Sequence, residues 1–219
     1  DNRWSAPISA PRLLNYADLN RDGWLDLIIP STTGDTLIFW GSKSGFQKSN
    51  VTALPSVAPV ASKAADLNSD GYLDLVICNF WDPETHSGYI SSYIYWGSAN
   101  GFTAKLRAEL PSIGAHAAVI GDLNRDGLLD IVFCNYHGPV TRSIDSYVYW
   151  GQKDGVYSVA HRTGIPTDSS VAGMIYDFNQ DGVEDLFMMN HLIHGDHHVD
   201  STLYWGGKKG LDPQRAIHF

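Results

Sequence analysis

The chain has 219 residues, of which 43% are hydrophobic, 18% charged and 12% aromatic, and it carries a formal charge of −9. That balance supports a packed core and excludes a disordered chain. No apolar run approaches the roughly 20 residues of a membrane-spanning helix, and the negative charge repels phosphate backbones, which argues against nucleic acid as a partner.

The 21 glycines and 10 prolines point to an all-β protein with many tight turns. The chain opens at Asp1 without a Met and shows no leader, which fits a processed or excised segment. In chain order, four segments align without gaps: Asp18-Leu-Asn-Arg-Asp-Gly-Trp-Leu-Asp26, Asp66-Leu-Asn-Ser-Asp-Gly-Tyr-Leu-Asp74, Asp122-Leu-Asn-Arg-Asp-Gly-Leu-Leu-Asp130 and Asp177-Phe-Asn-Gln-Asp-Gly-Val-Glu-Asp185. A Trp-Gly pair follows each, at Trp40, Trp96, Trp150 and Trp205, and a further glycine closes a turn four residues later, at Gly45, Gly101, Gly155 and Gly210. A proline stands eleven residues before each first Asp: Pro7, Pro55, Pro111 and Pro166. Internal periodicity of this kind marks a repeat architecture.

Each repeat reads as four short strands. The first runs into the Asp loop, as at Ala117–Gly121. The second leaves it as an apolar run: Leu25–Ile29, Leu73–Cys78, Leu129–Cys134 and Leu186–Met189. Such runs suit strands buried on both faces. The third carries Tyr93–Trp96 or Tyr147–Trp150, and the polar Tyr157–Arg162 suits a fourth, outer-edge strand. Four strands per repeat of about 55 residues describe the blade of a β-propeller. The fold expected is an all-β propeller over residues 1–219, with repeats 7–54, 55–110, 111–165 and 166–219. Cys78 and Cys134 occupy the same position in two successive blades, too far apart for a disulfide; they read as two buried thiols.

The spacing Asp-x-Asn-x-Asp-Gly-x-x-Asp suits a hard cation such as Ca²⁺, which takes six to eight oxygen ligands. Positions 1, 3 and 5 put short oxygen-bearing side chains inside one turn. Position 6 needs a glycine for the bend. Position 7 offers its carbonyl, and position 9 another carboxylate. The expected ligand sets are Asp18, Asn20, Asp22, Trp24 and Asp26; Asp66, Asn68, Asp70, Tyr72 and Asp74; Asp122, Asn124, Asp126, Leu128 and Asp130; Asp177, Asn179, Asp181, Val183 and Asp185. An EF-hand is excluded, because position 12 is Ile29, Ile77, Phe133 or Met188 where that motif needs a Glu. The ligand positions of the four loops take twelve of the 24 acidic residues, three Asp each, and four bound Ca²⁺ would move the charge from −9 to −1.

These loops, the turn Trp96-Gly97 to Gly101-Phe102 and the pair Gly114-Ala115 resemble FG-GAP/VCBS repeats, the blades of integrin α-chain-type propellers. The resemblance covers essentially the whole chain. It implies Ca²⁺ in the hairpin loops, four per chain, an extracellular or cell-surface setting, and recognition of proteins or glycans. Rings of that type usually have seven or eight blades.

The links between second and third strands vary most: short at Ser31–Asp35, long at Phe80–Ser91, Tyr136–Asp145 and His191–Asp200, each long one preceded by an Asn. Variable loops on a fixed scaffold often carry binding. Phe80, Trp81, His86, Tyr89, Tyr136, His137 and Arg142 offer an aromatic and polar face; ordinary loop packing is the alternative. Trp81, His86, His137, Arg142, His191 and His194 are the candidate ligand contacts. His191, His194, His197 and His198 with Asp196 and Asp200 also suit Zn²⁺ or Ni²⁺, though without the spacing of a known site. No catalytic motif stands out. The expectation is a binding module rather than an enzyme, with a propeller-type polysaccharide lyase or other carbohydrate-active enzyme, and a purely structural module of a larger surface protein, as alternatives. Outer-strand sequence stands at both ends (Arg3–Ala6 before Pro7, and the stretch up to Phe219), so the chain reads as four blades with a scrap of a fifth. It is either part of a longer propeller or one of two chains closing an eight-blade ring by C2 symmetry.

Overall fold

The computed structural model describes residues 8–138, 141–191 and 198–219. They form four four-stranded antiparallel sheets, each a meander of consecutive strands, with no α-helix among them. Blade 1 comprises β1 (Asn15–Ala17), β2 (Asp26–Ile29), β3 (Thr36–Phe39) and β4 (Val51–Leu54). Blade 2 comprises β5 (Pro59–Ala65), β6 (Asp74–Asn79), β7 (Tyr89–Tyr95) and β8 (Arg107–Ile113). Blade 3 comprises β9 (Ala115–Gly121), β10 (Asp130–Asn135), β11 (Ser143–Tyr149) and β12 (Arg162–Asp168). Blade 4 comprises β13 (Ala172–Tyr176), β14 (Asp185–Met189), β15 (Thr202–Tyr204) and β16 (Ile217–His218). The architecture is β-propeller-like and forms a partial ring.

The second strands behave as their composition demands. Every residue of β6 and of β10 is buried, because each lies inside its sheet and between neighbouring blades. Three apolar clusters hold the arc together. Leu19, Ile28, Ile38 and Leu54 of blade 1 pack on Leu75, Ile77, Tyr93 and Tyr95 of blade 2. Val60, Val76, Cys78 and Leu110 of blade 2 pack on Ala118, Ile131, Phe133 and Tyr149 of blade 3. Leu123, Val132, Cys134 and Ile165 of blade 3 pack on Leu186, Met188 and Tyr204 of blade 4. Each fully buried side chain of this size contributes about 1.5–3 kcal/mol. Both cysteines are free and buried.

Two boundaries differ from the sequence reading. The stretch Tyr157–Arg162 is not the outer strand of blade 3: Tyr157 is buried, Val159–His161 form a 3-10 turn, and the strand runs from Arg162 to Asp168. The buried Tyr157 hydroxyl bonds the carbonyl of Leu129 at 2.6 Å, so this segment is pinned inward before it can pair. The prolines Pro111 and Pro166 lie within β8 and β12, not ahead of the next blade. An outermost strand has one unpaired side and tolerates a residue without an N–H. The long loops are also shorter than read, because β7 begins at Tyr89 and β11 at Ser143.

Candidate functional site

The four Asp loops join the first and second strands of their blades and share one backbone geometry. In the first, the amide of Asp22 donates to Asp18 Oδ1 at 3.0 Å and to Asn20 Oδ1 at 3.1 Å. Gly23 donates to Asp18 Oδ2 and Trp24 to Asp22 Oδ1, both at 2.9 Å. The same four bonds recur in the loops starting at Asp66, Asp122 and Asp177. The oxygens of positions 1, 3 and 5 are thereby gathered around one turn. Position 6 has φ of 83–90°, which glycine adopts freely. Position 4 is also left-handed, at 58–60° for Arg21, Ser69, Arg125 and Gln180. Nothing in the composition of those four residues signals it; the loop imposes it.

Position 9 has a second role. Asp26 accepts from the amide of Leu19 and from the amide of Gly41, both at 2.8 Å. Asp74 does so from Leu67 and Gly97, Asp130 from Leu123 and Gly151, Asp185 from Phe178 and Gly206. The glycine of each Trp-Gly pair thus binds the loop's last carboxylate. A Cβ there would run into a backbone carbonyl: that of Leu25, Leu73, Leu129 or Glu184. The Trp-Gly landmark exists because only a bare amide reaches Asp at position 9.

Burial, with the repulsion of the loop's other two carboxylates, outweighs these amide bonds. It pushes Asp74 up to about 6 and Asp130 up to about 7. Among the described residues, no three His, Cys, Asp or Glu side chains converge closely as a group. The donor set is instead mixed, with Asn oxygen and a main-chain carbonyl beside the acids. Every side-chain donor is a hard oxygen, and the carboxylates of each loop repel one another. Both features fit Ca²⁺. Neighbouring loops also touch. The Arg21 guanidinium lies 5.2 Å from the centre of the Tyr72 ring. Arg125 covers Gly182, and Glu184 accepts from the amide of Asp122 at 2.7 Å.

The links between second and third strands lie on the opposite edge, as a meander requires. The Asn before each long link is a clamp. Asn79 accepts from Val57 N and donates to Ser91 O; Asn135 does the same with Ile113 and Asp145, and Asn190 with Asp168 and Asp200. Each therefore ties the base of its own loop to the end of the preceding blade.

Trp81 and His137 meet at 4.8 Å between ring centres. Arg142 lies 5.1 Å over the Tyr136 ring and donates to the Tyr136 carbonyl at 3.3 Å. The Tyr136 hydroxyl is 3.2 Å from His191 Nδ1. Phe80, His116, Tyr136 and His191 share a cavity of about 610 Å³ with Arg12 and Val60. Among the described residues, His137 Nδ1 is buried with no hydrogen-bond partner; burial first, and the Arg142 charge second, hold its pKa below the usual imidazole value. His86 joins none of these contacts; it sits in the small Asp82–Ser87 hairpin with φ of 51°. Tyr89 belongs to β7. His198 and Asp200 line a separate polar cavity of about 460 Å³ with Asp145, Asp168 and His218. His194, Asp196 and His197 lie outside the described residues.

His116 was missed by sequence reasoning, since it sits in an inner strand. A signal was present: Arg12, Val60, His116 and Val171 all stand six residues before the first Asp of their loops, and all four line the same cavity.

The model of the FG-GAP-like repeat matches residues 18–77 and 122–188. No curated protein sequence matches the chain. Among solved structures, BBS1N in complex with ARL6DN is similar at TM-score 0.54 and 16% identity, over 97% of this chain and 55% of that one. An Agrocybe aegerita lectin that recognises non-reducing terminal N-acetylglucosamine is similar at 0.55 and 16%, over 95% and 52%. The V. cholerae biofilm matrix protein Bap1 is similar at 0.50 and 17%, over 95% and 32%. The chain thus spans about half the length of the first two and a third of the last.

Proposed function

The chain belongs to the FG-GAP-like repeat family, and from that premise we propose that it is a calcium-binding β-propeller interaction module that recognises a glycan or a protein through its inter-strand loops. The observation that carries the calcium reading is the fourfold recurrence of one loop geometry with one set of oxygen donors. Asp18, Asn20, Asp22, the Trp24 carbonyl and Asp26 hold the first ion, and the equivalent residues of the other three loops hold the rest. The ion offsets the repulsion that the carboxylates of one loop exert on each other.

The recognition reading is supported by the loop edge, where Trp81, His137, Tyr136, Arg142 and His191 come together. Aromatic rings beside polar groups suit a sugar ring or a peptide. The lectin of similar fold makes a glycan the first class to test. An extracellular setting is proposed with it: the family is typical of extracellular proteins, and millimolar calcium there matches the affinity of extracellular modules. The module acts as a binder rather than a catalyst. Metal analysis after dialysis against millimolar Ca²⁺ is expected to find four ions per chain; two or fewer would overturn the reading. A glycan array and a protein-partner screen, each run in Ca²⁺ and in chelator, test recognition. Signals that chelator leaves intact would separate recognition from calcium.

A further inference from the structure

The cavity of about 610 Å³ is built from two sets of equivalent positions. Each blade gives it one residue at or just ahead of its first strand: Arg12, Val60, His116 and Val171. A left-handed residue stands two positions before each of the four, with φ of 43–54° at Ala10, Ala58, Gly114 and Ser169. Alanine and serine take that conformation at a cost, so the bend that delivers the four residues is imposed by the fold. The second set is the residue after each clamping Asn: Phe80, Tyr136 and His191. The bonds of Asn79, Asn135 and Asn190 to their own loops fix these three from behind.

Four rings make a continuous wall. Phe80 lies 5.9 Å from Tyr136 and 6.0 Å from His116 between ring centres. His116 is 5.6 Å from Tyr136, and Tyr136 is 5.8 Å from His191. The polar groups are few and defined, as in a small-molecule site. His116 Nδ1 is 2.9 Å from the carbonyl oxygen of Val171. A carbonyl only accepts, so Nδ1 carries the proton, and Nε2 of the neutral ring is the acceptor left for a ligand. Arg12 brings a permanent positive charge on a fork of donors. Its main chain is anchored: the Arg12 amide donates to Pro30 O and the Leu13 amide to Val60 O, both at 3.0 Å. In a chain of net charge −9, no acid lines this cavity among the described residues.

We propose that the cavity binds an acidic sugar, a uronate, with its carboxylate on Arg12 and its ring against the aromatic wall. Guanidinium and carboxylate match in charge and in planar geometry. The negative faces of the rings attract the C–H bonds of the sugar, and a sugar hydroxyl donates to His116 Nε2. A neutral sugar leaves Arg12 without a partner. An Asp or Glu side chain of a peptide satisfies Arg12 but brings neither a ring for the wall nor a hydroxyl for His116. The proposal rests on the recognition reading above and narrows it to one ligand class and one site.

The test is histidine-ring NMR of the full ¹⁵N-labelled chain in millimolar Ca²⁺, at about pH 7.5, above the usual imidazole range. The free protein is expected to show His116 with Nδ1 protonated and Nε2 bare. Sodium D-glucuronate is expected to shift the His116 signals, and D-glucose to bind about tenfold more weakly or worse, the value of one charge-assisted bond. Arg12→Gln alters an exposed side chain; its melting temperature is expected to match wild type while the preference for glucuronate disappears. Glucuronate that leaves His116 unmoved, or that binds Arg12→Gln as well as wild type, overturns the proposal. Glucose binding as tightly as glucuronate also overturns it and leaves the recognition reading standing, as do glycan-array signals without any shift at His116. Benzoate binding as tightly as glucuronate shows a site for any ring carboxylate and overturns the assignment to a sugar.

Discussion

The hydroxyl of Tyr149 donates to the carbonyl oxygen of Pro111 at 2.6 Å, joining the third strand of blade 3 to the outer strand of blade 2. Tyr95 does the same to Pro55 at 2.5 Å, and Tyr204 to Pro166. The tyrosine before the Trp-Gly pair of blades 2, 3 and 4 is thus a staple between blades, and Pro55, Pro111 and Pro166 supply the acceptors. In blade 1 the position is Phe39, which has no hydroxyl. Tyr149→Phe is expected to lower stability by about 1 kcal/mol, the net value of one such hydrogen bond. A urea unfolding curve reads this directly; an unmoved midpoint would mean that water replaces the phenol without loss.

The Trp-Gly glycines and the turn glycines answer to different forces. Gly97 is needed for space, since a Cβ meets the Leu73 carbonyl, whereas Gly101 has open surroundings but a φ of 76°. Gly97→Ala is expected to cost about 1–3 kcal/mol through overpacking. It also displaces the amide bound to Asp74, so the calcium concentration needed for half-maximal stabilisation rises. Gly101→Ala carries a conformational cost of about 1–2 kcal/mol and leaves the calcium requirement alone. Thermal melts across a calcium titration separate the two.

Calcium bound to the native state alone adds about 2.7 kcal/mol per site at a hundredfold excess over Kd. Melting temperature is therefore expected to rise with millimolar Ca²⁺ and fall in chelator. Asp70→Ala and Asp126→Ala each remove one ion from the count and part of the rise. An equal rise in Mg²⁺, which demands tighter octahedral geometry, would count against an oxygen cage of the calcium type.

His137 gives the loop edge a pH dependence. Its neutral form is favoured in the fold by burial and by Arg142, with the Trp81, Phe80 and Tyr136 rings around it. The native pKa lies below the unfolded value near 6.5, so the unfolded chain binds more protons between the two. Stability contributed by the neutral ring is complete above about pH 6.5 and lost as pH falls through that window. Wild type minus His137→Asn, compared by urea unfolding from pH 7.5 to 5, is expected to show this loss. Parallel curves for the two proteins would remove His137 as its source.

If a ligand is found, alanine at Trp81, His137 and Arg142 together is expected to weaken it at least tenfold. An affinity unchanged in the triple variant would move recognition elsewhere, with the polar cavity around Asp145, Asp168 and Asp200 the next place to look.

Much of this was legible in residues that repeat. The Asp loops, the Trp-Gly pairs and the buried second strands stand in the sequence because each blade solves the same packing problem with the same residues. The outer strand of blade 3 is misplaced at Tyr157–Arg162 because that stretch has strand-like composition while Tyr157 is drawn inward by a long-range bond to Leu129. The separation of His86 from Trp81 could not be read, since a left-handed residue in a six-residue hairpin leaves no periodic trace. His116 was hidden because its neighbours in the cavity come from four blades.

The carboxylates at position 9 have a mechanical consequence. Asp26 grips the loop at Leu19 and the distant turn at Gly41 with its two oxygens, so neither segment is released alone. Trypsin has a site in each: Arg21 in the loop and Lys43 in the turn that follows Gly41; blade 3 repeats the arrangement at Arg125 and Lys153. Cleavage at the two members of a pair then tracks a single opening event, and a digest reports the grip of one carboxylate as two nicks appearing in step.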